Sequence, residues 1–139
     1  MVDPNRFQPK APNISLRRAR VLVIDDEPDI LQSLKKRLTF AGYEFMSAAD
    51  GIEATKLALN NKPDVIVLDI GLPGGDGHQV AERVRNNTHT MFTPIIYLTA
   101  RTAEADRETA QDSGAFAYFT KPFKSEELLA AIHRAVGEA

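Results

Sequence analysis

The 139-residue sequence contains no cysteine. That excludes a disulfide framework, a thiolate metal site and a cysteine nucleophile, and it fits an intracellular, cytoplasmic protein. No apolar run approaches the roughly 18 residues of a membrane span, and the N-terminus lacks the apolar core of a signal peptide. Neither G-x-x-x-x-G-K-[ST] nor G-x-G-x-x-G is present, so the usual glycine-rich cradle for a nucleotide or a flavin is missing. Charge of one sign is scarce overall, the net being −2, but it is unevenly placed. Arg6, Lys10, Arg17, Arg18 and Arg20 face only Asp3 in the first twenty residues, a balance of +4 that leaves −6 for the rest. A mildly acidic body argues against direct nucleic-acid binding, because phosphate backbones reward a basic face.

What is present is enough for one ordinary domain: 43% hydrophobic and 26% charged residues, the balance of a globular chain. Residues 1–19 read as a flexible tail, with Pro4, Pro9 and Pro12 and no apolar periodicity, and residues 20–139 as the domain. Short apolar runs recur at 21–24, 43–47, 65–68, 95–98 and 115–119, separated by stretches long enough for helices. The first, third and fourth runs are nearly continuous in Val, Ile and Leu, as in strands buried on both faces of a parallel sheet. After the first, Ile30, Leu31, Leu34 and Leu38 form a helical stripe with Pro28 in its first turn and Gly42 as its stop. The last stretch aligns Leu128, Leu129, Ile132 and Val136, with Ser125 as candidate N-cap and Glu126 and Glu127 in the first turn. The only apolar residues of 102–113 are alanines, which predicts a weakly anchored, exposed helix. Strand and helix alternating throughout predicts an α/β, doubly wound parallel sheet of the (βα)5 type.

In open parallel sheets, ligands sit beyond the carboxyl ends of the strands. The polar residues at those ends are Asp25, Asp26 and Glu27, then Asp69, then Thr99, then Lys121. Clustered carboxylates repel, and a divalent cation removes the conflict; all-oxygen ligation favours Mg2+. A hydroxyl and an ammonium facing the same point would bind the remaining oxygens of a phosphoryl group, and a carboxylate among them can form an acyl phosphate. Singly these are weak signals, since an Asp pair after a strand is more often a helix cap and Lys-Pro a surface turn. Their strength is joint, on successive strand ends.

The segments Val21-Leu-Val-Ile-Asp25-Asp26-Glu-Pro28, Pro63-Asp-Val-Ile-Val-Leu-Asp69-Ile-Gly-Leu-Pro-Gly-Gly-Asp-Gly77, Pro94-Ile-Ile-Tyr-Leu-Thr99-Ala100 and Lys121-Pro122-Phe123 resemble the signature set of two-component response regulator receiver domains, over about residues 20–137. The resemblance implies the flavodoxin-like strand order 2-1-3-4-5. It also implies a signalling phosphoacceptor, not an enzyme, that assists its own phosphorylation and dephosphorylation. Asp69 would be the phosphoacceptor, Asp26 a direct Mg2+ ligand, Asp25 a ligand acting mainly through an ordered water, and the backbone carbonyl of Gly71 a third protein ligand. Thr99 would bind a phosphoryl oxygen and Lys121 would pair with the phosphoryl group or Asp69. Thr99 and Tyr118 would form a switch acting on a surface made of residues 102–113, the fifth strand and the last helix; packing of Tyr118 within its strand is the plain alternative. Implied partners are a sensor histidine kinase or histidine phosphotransfer protein, a downstream protein, and a phosphorylation-dependent homodimer.

Three other classes fit less well. Aspartate-nucleophile phosphatases similar to the haloacid dehalogenases want a second acid two residues after the first, where Gly71 stands. A nucleotide binder would meet repulsion from Asp25 and Asp26 at the first strand end. A docking-only relative of receivers normally lacks an acid, the acceptor or the lysine, and none is missing. Gly71 and Arg101 depart from common family choices beside the phosphate and bear on its lifetime, and Gly74-Gly75 loosens the loop after the third strand. His78, His89 and His133 share no local motif and read as surface residues.

Overall fold

A computed structural model describes residues 17–73, 77–99 and 114–137. In chain order they form β1 (Arg20–Ile24), α1 (Pro28–Phe40), β2 (Glu44–Ala48), α2 (Gly51–Asn61), β3 (Val65–Asp69), α3 (Gly77–Arg85), β4 (Ile95–Thr99), β5 (Ala117–Thr120) and α4 (Ser125–Ala135). The expected helix at 102–113 lies outside the described residues, as do residues 1–16 of the expected tail.

All five strands are parallel, in the order β2-β1-β3-β4-β5. The three strands read as continuous apolar runs are the inner ones, and their side chains are buried almost end to end. Alternation explains why both faces must be apolar. Leu22, Ile24, Ile66, Leu68, Ile95 and Tyr97 point to one face, where α2 and α3 bring Ala54, Ala58, Val80, Ala81 and Val84. Val21, Val23, Val65, Val67, Ile96 and Leu98 point to the other, against Leu34 and Leu38 of α1 and Leu128, Ala131 and Ile132 of α4. The edge strands β2 and β5 are only partly covered.

Helix boundaries follow local chemistry. Pro28 opens α1, where its missing N–H has no partner to lose. Gly42, at φ +97°, turns the chain out of it in the left-handed region that glycine enters without strain. Asp50 caps α2 by accepting from the Glu53 N–H at 2.9 Å. Ser125 is not the N-cap of α4. The cap is Lys124, whose backbone is extended and whose carbonyl accepts from the Glu127 and Leu128 N–H groups, so Ser125 is the first helical residue.

At the amino ends of the strands, Arg17 forks onto both Asp64 carboxylate oxygens at 3.0 and 3.1 Å, and the Arg20 N–H donates to Asp64 at 2.6 Å. The acceptor ends of β1, β3 and β4 lie at the opposite edge, and the chemistry-bearing residues are there.

Candidate functional site

Each polar residue singled out above closes an apolar strand, so the sheet itself aligns them. Asp25 follows β1, Asp69 is the last residue of β3, Thr99 the last of β4, and Lys121 follows β5. The strand registers place Asp69 beside Leu98 and Thr99 beside Thr120, and the Lys121 N–H donates to the Thr99 carbonyl at 2.7 Å.

Asp25, Asp26 and Asp69 each offer a ligand oxygen within 4.8 Å of the others. Asp25 is fully buried, Asp69 buried and Asp26 exposed. Asp25 Oδ1 accepts the Glu27 N–H at 2.9 Å, and Asp69 Oδ1 accepts the Gly71 N–H at 3.0 Å, which fixes both carboxylates. Lys121 brings its ammonium to 2.8 Å from Asp25 Oδ2 and 3.4 Å from Asp69 Oδ2, and it also contacts the carboxylate of Glu27. The Lys121–Pro122 peptide bond is cis.

Electrostatics follow from this crowding. Burial pushes the Asp25 carboxyl above its ordinary value and the Asp69 charge adds to the push, against the pull of Lys121 and the Glu27 N–H. For Lys121, burial works against the ammonium, but Asp25, Glu27 and Asp69 outweigh it and the group is raised above its ordinary value. One cation thus serves three acids, with Asp26 added at the rim. Asp25 Oδ2 is buried and meets the Lys121 ammonium at 2.8 Å. An all-oxygen set of three carboxylates converging within 4.8 Å of one another fits a hard divalent cation.

Gly77 is held against this site from behind. A Cβ there would fall 2.5 Å from the Asp69 carbonyl oxygen and 2.6 Å from Ile70 Cα, closer than any side chain tolerates. The turn that brings α3 onto the end of β3 therefore needs glycine, and the Gly77 N–H closes it on the Ile70 carbonyl at 2.9 Å.

Residues 21–133 match the family model described as response regulator receiver domain. The chain belongs to this family. Among curated relatives, the transcriptional regulatory protein KdpE of Mycobacterium tuberculosis is 44% identical over 116 residues, covering 84% of this chain and 50% of that protein. The DNA-binding dual master transcriptional regulator RpaA of Synechocystis is 42% identical over 113 residues, covering 81% and 47%. The receiver chain therefore spans about half the length of the curated relatives it matches. Among solved structures, the receiver domain of a sensor histidine kinase from Pseudomonas aeruginosa superposes with TM-score 0.80 at 32% identity, over 88% of this chain and all of that one; it was solved with magnesium in its active-site cleft. A chemotaxis response regulator from Vibrio cholerae gives TM-score 0.79 at 36% identity, over 86% and 99%.

Within the receiver domain, the geometry brings together Asp25, Asp26, Asp69 and Lys121, with Thr99 buried at the next strand end. Gly71 lies in the turn after β3, with its N–H engaged by Asp69. Tyr118 is half-buried on β5, paired in register with Tyr97, and packs against the cluster that holds Ile66 and Leu68. Of the histidines, His89 and His133 are exposed, whereas His78 is half-buried with its ring 6.2 Å from that of Tyr97, because the first turn of α3 lays it against β4. Glu27 was legible only as the third member of an acidic run; nothing in the sequence aligned it with Lys121, 94 residues away. No described helix is long and apolar enough to cross a membrane.

Proposed function

We propose that this receiver domain accepts a phosphoryl group on Asp69 and, when modified, signals through protein contact in the cytoplasm. The observation that carries the reading is Lys121, held within ion-pair distance of both Asp25 and Asp69 at an edge where three aspartates converge. A carboxylate oxygen of Asp69 forms a bond to the phosphorus of a phosphohistidine on a sensor kinase or phosphotransfer protein. The donor's P–N bond breaks as it forms, and its electron pair leaves with the imidazole.

Lys121 balances charge that builds on the phosphoryl oxygens, and the Thr99 hydroxyl donates to one of them. Asp26 would hold Mg2+ directly, Asp25 through a water and Gly71 through its carbonyl, and the ion would neutralise charge between the acids and the phosphoryl oxygens. The modification takes the Asp69 position from about −1 to about −2. That extra charge draws Thr99 toward it and gives Tyr118 room to turn inward, which biases the surface of β5 and α4. By the same chemistry the domain assists both formation and loss of its own acyl phosphate, without turning over a separate substrate.

The expectation that nucleic acid is not a direct partner gains no support from the relatives. They are named as transcriptional regulators, one as DNA-binding, and each is about twice the span matched here. A DNA-regulating output of the whole protein is the second reading those names favour. The first is tested by incubation with acetyl phosphate and Mg2+, followed by intact mass. A phosphoryl-sized gain in the wild type that is absent from Asp69→Asn supports it, and equal gains in the two proteins sink it.

A further inference from the structure

Glu27 occupies the N-cap position of α1, where a side chain ordinarily accepts an N–H from the first turn. It makes no such bond. Its backbone N–H is spent on Asp25 and its carbonyl on Leu31, and its carboxylate turns instead across the strand ends to Lys121. The two partners differ in setting: the Lys121 side chain is 12% exposed and that of Glu27 is 56% exposed. Glu27 also stands outside the cluster that would hold a metal ion.

We propose that Glu27 is a positioning residue that draws the Lys121 ammonium toward the rim of the site, in competition with Asp69, while the site is unmodified. The inference rests on the reading of Asp69 as phosphoacceptor. Of the three acids around Lys121, Asp69 is the most distant at 3.4 Å, so the ammonium rests toward Glu27 and Asp25. A cation shared by Asp25, Asp26 and Asp69 would offset two of those three acids and leave Glu27 as the carboxylate that still holds the lysine. Because Glu27 is solvated, its grip is weak enough to be released. A phosphoryl group on Asp69 has to compete with it for the same ammonium, so Glu27 opposes the modified state.

The test compares wild type, Glu27→Gln, Lys121→Ala and the double variant. Glutamine keeps the length of the side chain and removes its charge, at an exposed position where folding is not at stake. The measurements are the rate of acyl phosphate formation from acetyl phosphate with Mg2+, the affinity for beryllofluoride as phosphoryl mimic, and the NMR shifts of the Lys121 Cε protons in metal-free protein. For a partly exposed ion pair, Glu27→Gln should speed formation and tighten beryllofluoride binding about two- to fivefold. It should also move the Cε signals. Salt should bring wild type toward the variant, since an exposed pair is screened, and the gain should vanish when Lys121 is alanine. A Glu27→Gln protein equal to or slower than wild type, or a gain that persists without Lys121, overturns the assignment alone. Failure of the wild type itself to form an acyl phosphate overturns the phosphoacceptor reading, and this inference with it.

Discussion

Substituting Gly77 by alanine probes how tightly the fold grips its site. The added Cβ would stand 2.5 Å from the Asp69 carbonyl oxygen, 2.6 Å from Ile70 Cα and 3.0 Å from the Ile70 carbonyl oxygen. All three are backbone atoms, and ordinary contact begins near 3.4 Å, so the end of β3 and the start of α3 must separate by about 1 Å. Overpacking of this kind costs about 1–3 kcal/mol, only partly offset by alanine's better helix propensity. For a domain of this size that corresponds to a fall in Tm of roughly 4–12 °C. The same displacement moves the Asp69 carboxylate relative to Asp25 and Lys121, and misplacement by about 1 Å can reduce a rate on the order of 100-fold. Thermal and urea unfolding give the first number, and acetyl phosphate labelling gives the second. A Gly77→Ala protein that melts with wild type and is labelled at the wild-type rate would refute the close-approach argument.

Other expectations follow from the same site and core. Leu98, fully buried between β4 and the α1–α4 layer, should cost about 2–5 kcal/mol on truncation to alanine, read as a lower urea midpoint at unchanged slope. Asp25→Asn should stabilise the metal-free protein at neutral pH: the folded carboxyl is raised, so its contribution is fully present below the unfolded value near 3.9 and is lost as pH rises through the folded value. The variant's stability should therefore decline less than the wild type's over that window, and a parallel pH profile would contradict this. Mg2+ at ten times its dissociation constant should add about 1.4 kcal/mol of stability to the wild type, and Asp26→Asn should lose most of that increment in a calorimetric titration.

The sequence exposed the sheet well because burial on both faces leaves a plain record. The runs through Val21–Ile24, Val65–Leu68 and Ile95–Leu98 had no polar face to give up, and those strands are central. Edge strands left a fainter one: the fifth was read from residue 115 and begins at Ala117, since one partly open strand tolerates mixed neighbours. The strand order came from resemblance alone, for periodicity carries no information about which run lies beside which. At the site, Asp25, Asp69 and Lys121 were legible because each closes a strand, and the parallel sheet necessarily collects such positions at one edge. Glu27 escaped because an ion pair across 94 residues leaves no local pattern. Gly77 was legible only as the last residue of a segment that resembles the family, and its close approach to the Asp69 backbone is a property of how α3 meets β3. The N-cap of α4 was misplaced by one residue because serine is the better cap by chemistry, whereas the chain remains extended through Lys124.

The most direct measurement of the central claim is chemical localisation of the phosphoryl group. Protein labelled with acetyl phosphate and Mg2+ is reduced with borohydride, which converts an aspartyl phosphate to homoserine, and the peptides are mapped by mass spectrometry. The account predicts homoserine at position 69 and no labelling once Asp69 is asparagine. Homoserine at another aspartate, or a phosphoryl group that resists borohydride, would contradict it.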